Sequence, residues 1–233
     1  MEPNRDQAKE RPTDQLEPFD PQKHWDADST PPVFAAISRE LGELLPGIGA
    51  RTPEIEAAIV LASLMHDVAY YYGGSRSEKK AADELFSKQI PFFASLLNQE
   101  TVQEAKVTAF VDKLAVTIGG GPPFQKDYSW SFGFEKAQRG YTELDPTEAM
   151  KIRCRAQYVF VKVVRKIAVQ KFELSDVLRK KLAAAGSGYR EELKDAVVRL
   201  AKELTRLEFR GVPGLSGEGK AGLRPTDEVM PPR

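Results

Sequence analysis

Apolar residues recur along most of this chain at intervals of three and four, the spacing that lines one face of an α-helix. Val33, Phe34, Ile37, Leu41, Leu44 and Leu45 mark a first amphipathic helix over 32–45, stopped by Pro46-Gly47. Thr52 as N-cap and Pro53 at the first helical position open the next, and its apolar residues from Ile55 to Tyr71 are dense enough to bury it on most sides. Gly73-Gly74 stops that helix. Ser75 with Glu78 three residues on forms a capping box for a third, which the pattern ends near Ile90, ahead of Pro91. These two helices are antiparallel, a hairpin. A helix is also predicted over 99–117, before the glycine-, proline- and aromatic-rich loop GGGPPFQKDYSWSFGF, which is placed to pack over a neighbouring site. Asp145-Pro146-Thr147-Glu148 starts a long helix through Ile152, Tyr158, Val159, Val163 and Ile167, and a last helix spans 189–208. The expected fold is all-α, a helical hairpin core with additional C-terminal helices.

Composition divides the chain further. Residues 1–31 hold eight acids against four bases, with five prolines and few apolar residues, and read as a solvated, disordered arm. A helical domain follows over 32–140 and a C-terminal helical hairpin over 141–210. From Gly211 to the end, five glycines and four prolines indicate a flexible tail over 211–233. The chain carries 34 basic and 34 acidic side chains, so the molecule as a whole has no net field to attract nucleic acid or an anionic membrane. Locally the balance differs: between Lys151 and Lys181 there are ten bases and two acids, a basic face for the C-terminal hairpin. That stretch matches no nucleic-acid-binding motif, and Tyr158, Phe160 and Phe172 within it read as core packing. Cys154, the one cysteine, falls in a helical pattern where a small buried thiol is expected. The N-terminus lacks an apolar signal core and no apolar run is long enough to span a bilayer. The expectation is a cytoplasmic protein, or one exported by a non-Sec route.

The candidate chemistry lies in the hairpin. Of two histidines, His24 sits in the polar arm and His66 in the middle of the most apolar helix, followed at once by Asp67. Tyr70 lies one turn beyond His66 on the same face. The turn centres near position 74, so His66, eight residues before it, stands level with Ala82 and its neighbour Asp83 on the returning helix. A carboxylate on one imidazole nitrogen fixes the tautomer and leaves the other nitrogen to take a proton from water, the part of a general base. Asp67 is rotated by about 100° from His66, which points its carboxylate elsewhere and suits it to a hard cation.

H-D-x-x-Y on one helix and A-D on the antiparallel next one resembles the catalytic core of phospholipase A2. With one cysteine and so no internal disulfide, the chain is more similar to cysteine-poor bacterial and viral members than to the secreted enzymes, and the longer string HDVAYYYGGSRSEKKAAD, with the later GGGPPF and WSFGF, is similar to uncharacterised bacterial proteins of this phospholipase-like type. The resemblance spans about residues 44–135 and implies a calcium-dependent hydrolase of phospholipid acyl esters. It implies that His66 activates water, that Tyr70 and Asp83 orient it, and that Asp67 holds Ca2+ together with carbonyls of the PGIGA loop at Gly47 and Gly49. On this reading the basic stretch 151–181 meets phospholipid headgroups.

Other readings of the same residues remain. A histidine on an apolar helix is often a satisfied core residue, although two buried carboxylates beside it would need neutralising. HD is also the doublet of metal-dependent phosphohydrolases, which need a further histidine that only His24 could supply. A non-enzymatic helical binding module is the third reading. Tyr71, Tyr72, Trp130 and Phe132 fit packing roles.

Overall fold

The structure, a computed structural model, describes residues 16–25, 52–122, 129–181 and 187–215. Among them the chain is all-α. Its helices are α1 (Pro21–His24), α2 (Pro53–Tyr72), α3 (Arg76–Leu97), α4 (Val102–Gly119), α5 (Pro146–Ala168), α6 (Leu174–Lys181) and α7 (Ser187–Arg206). The helix expected over 32–45, and with it Gly47 and Gly49, lies outside the described residues.

α2 is the axis of the molecule. Thr52 Oγ1 caps it by accepting from the Ile55 amide, and from Ile55 onward nearly every side chain is buried. It packs on α3, α5 and α7, so it has no solvent face to reserve for polar residues. α2 and α3 meet through a turn that only glycine permits at Gly73. There φ is +72°, and an added Cβ would stand 2.5 Å from the Ser131 Cβ. The capping box at Ser75 and Glu78 is present in both directions, so α3 leaves the turn at a fixed angle.

α3 does not stop at Pro91; it runs through it to Leu97. A proline inside a helix costs roughly 3 kcal/mol, but Ile90, Phe93 and Ala94 on the same turns are fully buried and offset it. α4 packs back on α3, and α5 and α7 pack on each other and on α2. The short helix α6 has no counterpart in the expected elements. Leu174, Val177 and Leu178 anchor it, a run too brief for periodicity to mark.

One hydrophobic cluster joins Ile59, Leu61 and Phe93 of the hairpin to Phe160, Ile167, Leu193 and Leu200 of the C-terminal helices. The 140/141 boundary is therefore not a break in the core. The described parts of the arm and of the tail, 16–25 and 211–215, are also better tied down than composition suggests. Residues 16–25 of the acidic arm are packed rather than solvated: Trp25 is buried and its Nε1 donates to Ser63 Oγ at 2.9 Å, the Phe19 amide donates to the Tyr72 hydroxyl, and Tyr71 donates to the Glu17 carbonyl. Two large aromatics outweigh the surrounding charge. At the other end, Val212 is fully buried and Gln89 Nε2 donates to the Pro213 carbonyl at 2.9 Å, so 211–215 belong to the fold.

Cys154 is exposed, not buried. The buried line of α5 runs through Ile152, Ala156, Phe160, Val163 and Ile167, and Cys154 falls in phase with the exposed Met150 and Tyr158.

Candidate active site

The α2–α3 turn brings His66, Tyr70 and Asp83 together as their sequence distances imply. His66 Nε2 lies 3.2 Å from Asp83 Oδ1, and the Tyr70 hydroxyl donates to the same oxygen at 2.7 Å. Asp83 Oδ2 receives Lys79 Nζ at 2.9 Å and the Thr117 hydroxyl at 3.1 Å. An ionised carboxylate offers about four lone-pair positions, so four donors saturate it. Because a carboxylate only accepts, Nε2 carries the imidazole proton, and in the neutral ring the free lone pair is on Nδ1.

Asp67 does not point fully away. Its Oδ1 stands 3.6 Å from His66 Nδ1, outside hydrogen-bond distance but within strong electrostatic reach. A 100° step separates neighbouring side chains at the axis, yet a five-membered ring and a carboxylate bridge much of that gap at their tips. Asp67 is buried on the described residues, at 3% exposure. No group of three or more His, Cys, Asp or Glu side chains converges as a metal set among the described residues.

Lys79 and Thr117 are members of the site that the motif did not include. Lys79 is buried, and besides Asp83 its ammonium donates to the carbonyls of Val116 and Thr117 at 3.1 and 3.4 Å and sits 5.2 Å from the centre of the Tyr70 ring. Its position four residues before Asp83 on one helix was a legible signal for this pair. Thr117 carried none, since it arrives from α4 by tertiary packing.

The aromatic loop closes the end of the hairpin. Phe132 and Gly133 amides donate to the carbonyls of Tyr70 and Tyr71, satisfying the last turn of α2. Trp130 is buried, packs edge-on to Tyr70 with ring centres 5.0 Å apart, and donates from Nε1 to the Gly74 carbonyl. Gly120 allows this approach, because a Cβ there would meet the Tyr70 ring at 2.7 Å. His66 itself is sandwiched by Tyr70 and Phe86, at 4.0 and 4.9 Å between ring centres. His24 is not brought to this group: its ring stacks on Tyr71 and its Nδ1 accepts from the Asp20 amide.

The electrostatics follow from these contacts. Burial alone would push the His66 imidazolium to lower pKa, but Asp67 and Asp83 on its two nitrogens win and hold it above the ordinary imidazole value. Burial would likewise raise Asp83, but His66 and Lys79 overcome it and keep the carboxyl below its usual range. Burial, then the Asp83 charge, pushes the Tyr70 phenol far above its ordinary value, so it stays a donor.

For Asp83 the sign is that of a depressed carboxyl. Its contribution to stability is present above the unfolded value of about 4 and is lost as pH falls through the lower folded value. The melting-temperature gap between wild type and Asp83→Asn should therefore be wide at neutral pH and narrow progressively below about pH 4. Thermal melts at stepped pH measure it, and a gap that stays constant down to pH 2 would show that the carboxylate charge is not what Asp83 contributes.

No family model, no curated protein and no solved structure matches this chain.

Proposed function

We propose that the protein hydrolyses acyl esters of phospholipids, with His66 as the general base that activates water. The observation that most supports this reading is the asymmetry of the imidazole. Nε2–H is fixed on a saturated, ionised Asp83, and Nδ1 keeps the one lone pair available to take a proton. A core histidine satisfied for packing alone needs neither the second carboxylate at 3.6 Å nor the Lys79 and Tyr70 donors behind the first.

In this reading water gives its proton to Nδ1 as its oxygen attacks the ester carbonyl. The resulting imidazolium is stabilised between Asp67 and Asp83, and the same proton then passes to the leaving alkoxide. Tyr70 and Lys79 act on Asp83, holding its carboxylate in the plane that fixes the ring. The implied cation is calcium, which when bound supplies positive charge for the developing oxyanion. Asp67 offers it a carboxylate, and Gly47 and Gly49 would offer carbonyls from outside the described residues.

The deciding experiment adds calcium to wild-type protein with mixed phosphatidylcholine and phosphatidylglycerol vesicles and follows fatty-acid release. Hydrolysis that appears with calcium and disappears with chelator supports the reading; folded protein without hydrolysis at saturating calcium sinks it. Calorimetry on Asp67→Asn, shown to be folded by a cooperative melt, should show calcium binding abolished. Equal affinity in variant and wild type would remove Asp67 from the ligand set.

Of the basic stretch over 151–181, Lys151 pairs with Glu148, and Arg155, Lys162 and Arg165 lie over the rings of Tyr72, Tyr158 and Phe209. Arg153, Lys166 and Lys171 of this stretch are exposed. Among the described residues no helix is long and apolar enough to cross a membrane.

A further inference from the structure

α4 turns three large apolar side chains outward in a single line. Phe110, Leu114 and Ile118 are 69%, 45% and 48% exposed and follow one another at four-residue steps. The opposite face of the helix, with Ala105, Ala109 and Val116, fills the core against α3. The line ends at the site just described. Thr117, between Leu114 and Ile118 in height, donates to Asp83 Oδ2, and the carbonyls of Val116 and Thr117 hold Lys79.

The exposed charged side chain of α4 is a lysine, Lys106. Lys106 is exposed and Lys113 half-buried beside the stripe, whereas the acids of the helix, Glu104 and Asp112, are half-buried and buried. Apolar side chains flanked by lysines are the composition of a helix that lies in a bilayer interface, its apolar groups among acyl chains and its ammonium groups among phosphates.

We propose that this face of α4 docks on an anionic phospholipid surface, next to the candidate active site. The proposal takes its biological purpose from the phospholipase reading, but docking itself does not require hydrolysis. A second copy of the chain is a poorer occupant. From Phe110 to Ile118 the stripe runs about 12 Å along the axis, and three side chains fall far short of the roughly 800 Å² per partner that a stable dimer buries. The basic face of α5 is also a poorer contact surface for this purpose. α5 packs on α2 and α7, while it is α4, on α3, that reaches Asp83.

The test is co-sedimentation with phosphatidylcholine vesicles, with and without phosphatidylglycerol, using wild type, Phe110→Asp/Leu114→Asp, Lys151→Glu/Arg153→Glu and His66→Gln. Wild type and His66→Gln should bind the anionic vesicles equally, and the α4 double variant should bind at least about tenfold more weakly, since it removes two apolar side chains from the proposed membrane contact. Both changes fall on exposed positions, so the melting temperature should be that of wild type. Docking through α4 with no ester hydrolysis by wild type would sink the hydrolase reading and leave this one standing. The proposal is overturned if wild type does not bind, if the α4 variant binds like wild type, if only the α5 variant loses binding, or if wild type is a dimer in solution that the α4 variant makes monomeric.

Discussion

On the proposed hydrolase reading, His66→Gln should lower phospholipid hydrolysis by at least about a hundredfold, the lower end for loss of a positioned general base, and leave the protein folded. Glutamine is polar, comparable in reach and able to donate from its amide to Asp83 Oδ1, so the buried carboxylate keeps a partner where Nε2 stood. It has no basic lone pair near neutral pH. The pH profile separates catalysis from packing. Because Asp67 and Asp83 outweigh burial and hold the His66 pKa above the ordinary value of about 6.5, wild-type rate should rise with pH through a midpoint above that value. Stability moves the other way. A raised histidine pKa contributes stability that is full below the unfolded value and lost as pH rises through the folded one, so the melting-temperature advantage of wild type over His66→Gln should shrink from pH 6 to pH 9. Rate and stability with opposite pH slopes are the signature of a base held between two carboxylates. If wild type releases no fatty acid and the variant melts several degrees lower, His66 is a core residue and the hairpin has only the outline of an enzyme.

What the sequence made legible, and what it did not, follows from how far each contact reaches along the chain. The hairpin was readable because its determinants are local. Thr52-Pro53, Gly73-Gly74 and Ser75 with Glu78 each fix a helix end within one turn, and once both ends are fixed the level of Asp83 against His66 is arithmetic. Tyr70 followed from helical phase alone. Thr117 and Trp130 are different: they reach the site from α4 and from the aromatic loop, 34 residues after Asp83 and 56 after Gly74, through packing that no periodicity encodes. The same limit explains the chain ends. Phe19 and Trp25 are two aromatics in a charged segment, and the composition of 1–31 averages them with the acids and prolines around them. Pro91 misled in the opposite sense, because a strong local rule was overridden by the apolar residues beyond it.

Lys79→Met tests the one charged member of the site that the motif left out, and its effect on stability should be large. Methionine fills a similar volume but removes the ammonium that neutralises Asp83 Oδ2 at 2.9 Å and ties it to the carbonyls of Val116 and Thr117. Breaking a buried ion pair from one side costs about 3–5 kcal/mol, because the remaining charge is left in a poor solvent. Here a second cation is within reach. His66 can hold its proton more tightly and become the sole counter-charge of Asp83, so part of the loss is recovered wherever the imidazole is charged. The variant should therefore be destabilised more at pH 8 than at pH 6, and the midpoint of its pH–rate profile should lie higher than that of wild type. A neutral methionine also leaves the Tyr70 hydroxyl as the shortest donor on the carboxylate, so the geometry at Oδ1 survives and a rate measured well above the new midpoint should approach that of wild type. Melting curves and hydrolysis rates over pH 6 to 9 read both effects together. A loss of stability that is independent of pH, with an unmoved rate midpoint, would mean that Lys79 only fills space and that the charge of Asp83 is balanced by the imidazole alone.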